Sequence, residues 1–218
     1  RTVRDAGLSQ SVWVDQLDGG RLPFAENMVN LLISENLGAV AMNEVMRVLV
    51  PNGIAYIKEG GKWVSKSKPW PADIDEWTHW MHGPDGNAVA HDRLVGPPRR
   101  MQWTAHPLWS RHHNLMPSVS AMVSAGGRVF TIVDEAPPGM TGNSPDKWSL
   151  VGQDAFNGVV LWRLPYRRWV WREWKDTRFN TRPGDIPLHL QKRLVAVGDK
   201  VYVTLGYRAP VTEVDAAT

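Results

Sequence analysis

The stretch Asp154-Ala-Phe-Asn-Gly158, followed at once by Val159-Val-Leu-Trp-Arg163, decides how this chain folds. An Asp opening a tight turn accepts from backbone N–H groups two residues on, and a Gly closing it supplies a left-handed φ. The apolar run beyond it reads as a strand that returns along Trp148-Ser-Leu-Val-Gly-Gln153. Upstream, Ser118-Val-Ser-Ala-Met-Val-Ser124 and Arg128-Val-Phe-Thr-Ile-Val133 flank Gly126-Gly127 with the two-residue period of a hairpin. The spacing therefore predicts four short antiparallel strands.

The phrase then restarts. Arg193-Leu-Val-Ala-Val197, the turn Gly198-Asp199, Lys200-Val-Tyr-Val-Thr-Leu205 and Pro210 to Thr218 follow in order, and Val123-Ser-Ala-Gly-Gly-Arg-Val-Phe130 aligns with Val195-Ala-Val-Gly-Asp-Lys-Val-Tyr202. Asp215-Ala-Ala-Thr218 repeats the turn and stops a residue before the expected Gly, so an unfinished second unit is expected. Four-stranded units of this kind cannot bury both faces alone and stack radially as propeller blades.

A strand, then Asp-Ala-x-x-Gly, then a strand ending in Trp resembles the blade of quinoprotein-like (PQQ-like repeat) β-propellers. The fold class expected is thus mainly β: a partial propeller of about two four-stranded blades over 101–218, preceded by a truncated α/β segment over 1–60 and a linker or junction over 61–100.

The α/β part rests on its own pattern. Ser11-Val-Trp-Val-Asp15, Asn27-Met-Val-Asn-Leu-Leu-Ile33 and Gly53-Ile-Ala-Tyr-Ile57 read as strands. Ala39 to Val50 carries Val40, Met42, Val45, Met46 and Leu49 at helical spacing and is stopped by Pro51-Asn52-Gly53. This alternation predicts a mostly parallel sheet. The Lys-, Gly- and Ser-rich stretch from Lys58 to Pro71 reads as linker. Leu22-Pro-Phe-Ala-Glu-Asn27 and Asn43-Glu-Val-Met-Arg-Val-Leu-Val-Pro-Asn-Gly53 resemble the second half of a class I S-adenosylmethionine-dependent methyltransferase. Asn52 stands where that family has Gly, and Asn30 where an acid is common. By position the resemblance assigns Asp18 to the adenine side of the cofactor, and the family's Gly-rich cofactor loop would precede Arg1.

The two resemblances together match large bacterial proteins of planctomycete type. They favour a periplasmic or secreted location and imply pyrroloquinoline quinone or S-adenosylmethionine as cofactor only in a longer protein. A quinone site would need a calcium ligand set and contributions from most blades.

Composition narrows the chemistry. With 43% hydrophobic and 22% charged residues the chain is of ordinary globular type. No apolar run approaches the roughly 18 residues of a membrane span. The absence of Cys excludes disulfides, thiolate zinc sites and a thiol nucleophile from these residues. Twelve Trp suit sheet packing or a sugar-binding surface.

Three constellations are candidates for function. Arg111, His112 and His113 form the catalytic candidate: an Arg neutralises a carboxylate while a His moves a proton, as β-elimination of a uronic acid requires. This is the carbohydrate-active alternative, a polysaccharide-lyase-like propeller, weighed against loop histidines held by backbone. Seven basic residues from Arg163 to Arg182, interleaved with Trp169, Trp171 and Trp174, suit a polysaccharide or other polyanion, or simply a solvated insertion between blades. His79 and His82, near His91 and Asp92, share a face if helical and would be metal ligands only with a third partner. Asp134-Glu135 would cap a turn or bind a cation. Open blade edges would also favour self-association. The reading that leads is a binding or scaffolding propeller, oxidoreductive when whole, with a methyltransferase as the weakest alternative.

Overall fold

The computed structural model describes residues 2–9, 11–94, 96, 101–109, 118–138, 147–166, 188–206 and 209–218. Strand accounts for 39% of the chain and helix for 6%, so the protein is mainly β. It divides into two compact units, Arg1–Trp70 and Pro71–Thr218. Among the described residues no helix is long and apolar enough to cross a membrane.

The first unit is a three-stranded sheet in the order β1-β2-β3, with β1 at Val29–Ser34, β2 at Leu49–Glu59 and β3 at Lys62–Ser67. The helix α1, Met42–Val48, connects β1 to a parallel β2. β3 returns antiparallel to β2 around Gly60-Gly61. Val45, Leu49, Ala55 and Ile57 are buried with Val40 in one cluster, as the helical and alternating patterns require.

The Glu44-x-x-Arg47 pair ties α1 to the preceding loop. Glu44 accepts from Leu22 N at 2.8 Å, and the Arg47 guanidinium donates to Glu44 at 2.6 Å and to the Phe24 carbonyl at 3.0 Å. The Arg47 guanidinium beside Glu44 holds that carboxyl down at about 2. On the opposite face of the sheet Leu31, Ile33, Ile54, Tyr56 and Trp63 are exposed, Tyr56 and Trp63 stacking at 4.8 Å.

Four expectations for this unit need correction. Ser11 to Asp15 forms no strand; the segment has no ladder partner, and Trp13 is 85% exposed. The helix ends at Val48, before Pro51, because Leu49 is already extended and pairs with Val29. Pro51-Asn52-Gly53 instead makes an irregularity inside β2, where the register jumps from Val29↔Leu49 to Leu31↔Ile54 and Asn52 takes φ 63°. The residues read as linker from Lys58 onward are the β2–β3 hairpin, which makes the sheet mixed rather than mostly parallel.

The second unit holds an antiparallel four-stranded sheet and a smaller antiparallel one. The first runs β4-β5-β6-β7, with β4 at Val119–Ala125, β5 at Arg128–Asp134, β6 at Trp148–Asp154 and β7 at Val160–Pro165. The second runs β10-β9-β8, with β8 at Leu194–Val197, β9 at Lys200–Thr204 and β10 at Val211–Asp215. Every position of β6 is buried, so neither face of that strand is given to solvent. Phe130, Ile132, Leu150 and Trp148 from the first sheet share one core with Leu194, Ala196, Val201, Val203 and Ala216 from the second. A 3₁₀ segment, Leu188–Arg193, leads into β8.

The repeat extends to individual hydrogen bonds. Asp154 Oδ1 accepts from Phe156 N at 2.8 Å and Asn157 N at 3.2 Å, and Asp215 Oδ1 accepts from Ala217 N and Thr218 N at the same two distances. Ala155 N donates to the Gly127 carbonyl, and Ala216 N to that of Asp199, each anchoring the turn to the tip of its own hairpin. The two hairpin tips are joined by Arg128 Nη1 and Asp199 Oδ1 at 3.1 Å.

Two tryptophans complete the pattern. Trp162 Nε1 donates to the Ala216 carbonyl at 3.0 Å, and Trp103 Nε1 to the Ala155 carbonyl at 3.1 Å. The indole of Trp162 lies over Gly152, its register partner on β6; a Cβ built there would sit 2.5 Å from Trp162 Cε2. Trp103 lies against Gly158, whose φ of +74° and 2.5 Å clearance both demand glycine. Gly152→Ala is therefore expected to push Trp162 off its seat and destabilise the second unit by about 1–3 kcal/mol. A urea unfolding midpoint equal to that of the unsubstituted protein would show that the indole does not depend on this clearance.

Candidate functional site

The densest polar arrangement lies in residues 73–93, a segment without regular secondary structure that crosses the seam between the two sheets of the second unit. Trp77 donates its backbone N–H to Ser124 Oγ and its carbonyl accepts from Ser124 N, on β4. The next carbonyl, Thr78, accepts from Ala196 N on β8, the repeat equivalent of Ser124. Glu76 Oε1 accepts from Gly126 N at 2.6 Å. One short segment is thereby hydrogen-bonded to the first strand of each sheet.

Asp75 organises the segment internally. Its carboxylate accepts from His91 N at 2.6 Å, from Glu76 N at 2.8 Å and from His82 Nε2 at 2.7 Å, while its own N–H donates to Asp92 Oδ1 at 2.7 Å. Backbone N–H donation from His91, more than the contacts with Glu76 and His82, holds the carboxyl down at about 2. The His82 ring meets Trp77 and His91 edge-on, each at 5.4 Å between centroids. His82 also sits at φ 71°, a left-handed conformation uncommon outside glycine and asparagine-like residues. It is reached because His79 N donates to the His82 carbonyl across the Trp80-Met81 turn.

His79 faces the other way. Thr78 Oγ1 has one proton and donates it to the His82 carbonyl at 3.2 Å. The same hydroxyl lies 2.8 Å from His79 Nδ1 and holds the imidazole in place. His79 Nε2 has no partner among the described residues. His79 lines an open cavity of about 400 Å³ together with Trp80, Met81, Pro84, Val195 and Lys192. The volume lies within the range of small-molecule sites. Lys192 Nζ stands 5.4 Å from the centroid of the Trp80 ring, in reach of its π face. No carboxylate pairs with Lys192 among the described residues.

Arg111, His112 and His113 lie outside the described residues, as does the basic strip beyond Tyr166. Arg163, at its start, pairs with Glu135 at 3.0 Å. Asp134 Oδ1 caps a turn, accepting from Ala136 N and Lys147 N. Asp18 is exposed and accepts from Gln16 Nε2 at 3.2 Å. His79 and His82 do not share a helical face; their backbones pair across a turn as an isolated antiparallel bridge. Among the described residues no three His, Asp or Glu groups converge as metal ligands.

Among the described residues neither implied cofactor has a fitting set of residues. The Trp162 indole is committed to Gly152 and the Ala216 carbonyl rather than to a quinone ring, and Asp18 does not line the cavity described above. Asp75, Lys192 and Trp103 were not singled out by sequence. For Trp103 a signal existed: it precedes its acceptor by 52 residues, as Trp162 precedes its own by 54.

No family model, curated protein or solved structure matches the chain. Function is therefore carried by the geometry itself.

Because its carboxyl is depressed in the folded state, Asp75 contributes stability that is complete above the ordinary carboxylate pKa and is lost as pH falls through about 2. Asp75→Asn is thus expected to be less stable at neutral pH, with the gap to the unsubstituted protein closing between about pH 4 and pH 2. Thermal melts across that range check it; a gap independent of pH would exclude an ionised Asp75 as the organising group.

Proposed function

We propose that this chain belongs to a quinoprotein-like β-propeller protein whose role is binding or scaffolding, with its first unit a methyltransferase-like segment that packs rather than catalyses. The observation that carries the propeller reading is the recurrent docking of a tryptophan on the Asp-Ala turn of the following unit, at Trp103 with Ala155 and at Trp162 with Ala216. In a propeller each sheet contacts its neighbours alone, so an identical junction must recur at every step. On this reading β4–β7 is one blade, β8–β10 belongs to the next, and the strip containing Gln102 and Trp103 belongs to the one before. Gln102 supports that placement by donating to the Phe156 carbonyl within the same turn.

The packing role of the first unit is supported by its chemistry. Glu44 and Arg47 are spent on fixing the loop before β1, and Asp18 lies open to solvent. Titration with S-adenosylmethionine is expected to give no saturable heat at micromolar concentration, and binding there would restore the methyltransferase alternative.

Trp103→Ala and Trp162→Ala are each expected to cost about 3–5 kcal/mol, as for loss of a packed Trp. Hydrogen exchange distinguishes them. The first variant should loosen the turn at 154–158, and the second the turn at 215–218, leaving the other turn protected. Loss of protection confined to the variant's own strand would defeat the docking model. An experimental structure in which successive sheets share no rotation axis would defeat the propeller.

A further inference from the structure

We propose that the cavity beside Trp80 binds an acidic saccharide of one or two rings through a uronate. The inference rests on the cavity alone and stands whether or not the sheets are arranged as a propeller.

Three features of the lining each specify one feature of the occupant. His79 Nε2 has no described partner, so it calls for a group that can give or take a hydrogen bond, and a hydroxyl does both. Lys192 is an ammonium at the cavity wall whose described contact is the Trp80 ring, so it calls for an anion. Trp80, Met81, Pro84 and Val195 give the remaining wall an apolar character, so the occupant must offer an apolar face. A neutral sugar lacks the anion, and an aromatic carboxylate lacks the hydroxyl donor. A sugar acid has all three: a carboxylate, hydroxyl donors, and a C–H face that lies against indole.

The site is also held in place. His79 is oriented by Thr78, whose hydroxyl is fixed on the His82 carbonyl, and His82 is fixed in turn by the Asp75 carboxylate. The backbone of Thr78 is anchored to β8 through Ala196, and Val195 beside it lines the cavity. His79 and the apolar wall thus belong to one hydrogen-bonded framework. Preorganisation of this kind lowers the entropy cost of binding a polar ligand.

The saccharide contacts proposed are His79, Trp80 and Lys192. They ask only for recognition, with no bond made or broken.

Calorimetric titration of the full 218-residue chain with digalacturonate, with the neutral digalactose and with benzoate tests it. Digalacturonate is expected to bind at least about tenfold more tightly than either of the others, the margin of one charge-assisted hydrogen bond. Lys192→Met, which keeps the chain length but removes the charge, and His79→Phe, which keeps a ring but removes its nitrogens, should each weaken digalacturonate by about tenfold. Far-ultraviolet circular dichroism establishes that both variants remain folded. Equal affinity for the neutral disaccharide or for benzoate, no saturable binding of digalacturonate, or unaltered affinity in both folded variants would overturn the proposal.

Discussion

A single contact governs the second unit: an indole laid flat on a glycine, with its N–H given to a carbonyl in the next Asp-Ala turn. A Trp side chain is large and apolar yet carries one obligatory donor, so burying it requires an acceptor at a fixed place. Trp162 meets both demands at once, resting on Gly152 of its own sheet and donating to Ala216 of the adjoining one. The aspartates are the counterpart. By capping the turn, Asp154 and Asp215 hold the acceptor carbonyl in a fixed direction, and the N–H of the same Ala is tied back to the hairpin tip. Remove the turn geometry and the donor is orphaned; remove the glycine and the ring has no seat.

What was legible in the sequence follows from how local each determinant is. The hairpin at Gly126-Gly127, the turn at Asp154 and the restart near Val195 depend on residues within a few positions of each other, and their period-two patterning is visible along the chain. The α1 helix and β1 were legible for the same reason. Ser11 to Asp15 has the composition of a strand, but a strand exists only with a ladder partner, which composition does not report. The hairpin at Gly60-Gly61 was read as linker because Lys and Ser obscure the alternation of β3, whose stability comes from pairing with β2 and from Trp63 on Tyr56.

The candidate site was less legible than the fold. Its histidines were visible as a cluster, but their arrangement depends on Asp75 reaching His91 and His82, and on carbonyls of 77 and 78 meeting two strands far along the chain. None of these contacts has a spacing rule. The placement of the His79 ring follows from its Nδ1 contact with the Thr78 hydroxyl, which the sequence does not report. The left-handed backbone at His82 fits the same picture: strain at one residue is tolerated where neighbouring bonds over-determine it.

The direction of the tryptophan contacts has a consequence for how the chain acquires its structure during synthesis. Both indoles are made before their acceptors, by 52 residues for Trp103 and 54 for Trp162. At ribosomal rates of about 5–20 residues per second the Trp162 ring waits roughly 3–10 s for its acceptor, long after β6 and β7 can pair. A nascent sheet is thus finished in hydrogen bonds but not in hydrophobic cover, and its successor acts as its lid. The Asp215 turn can cover Trp162 only after the strands β4–β7 have been made.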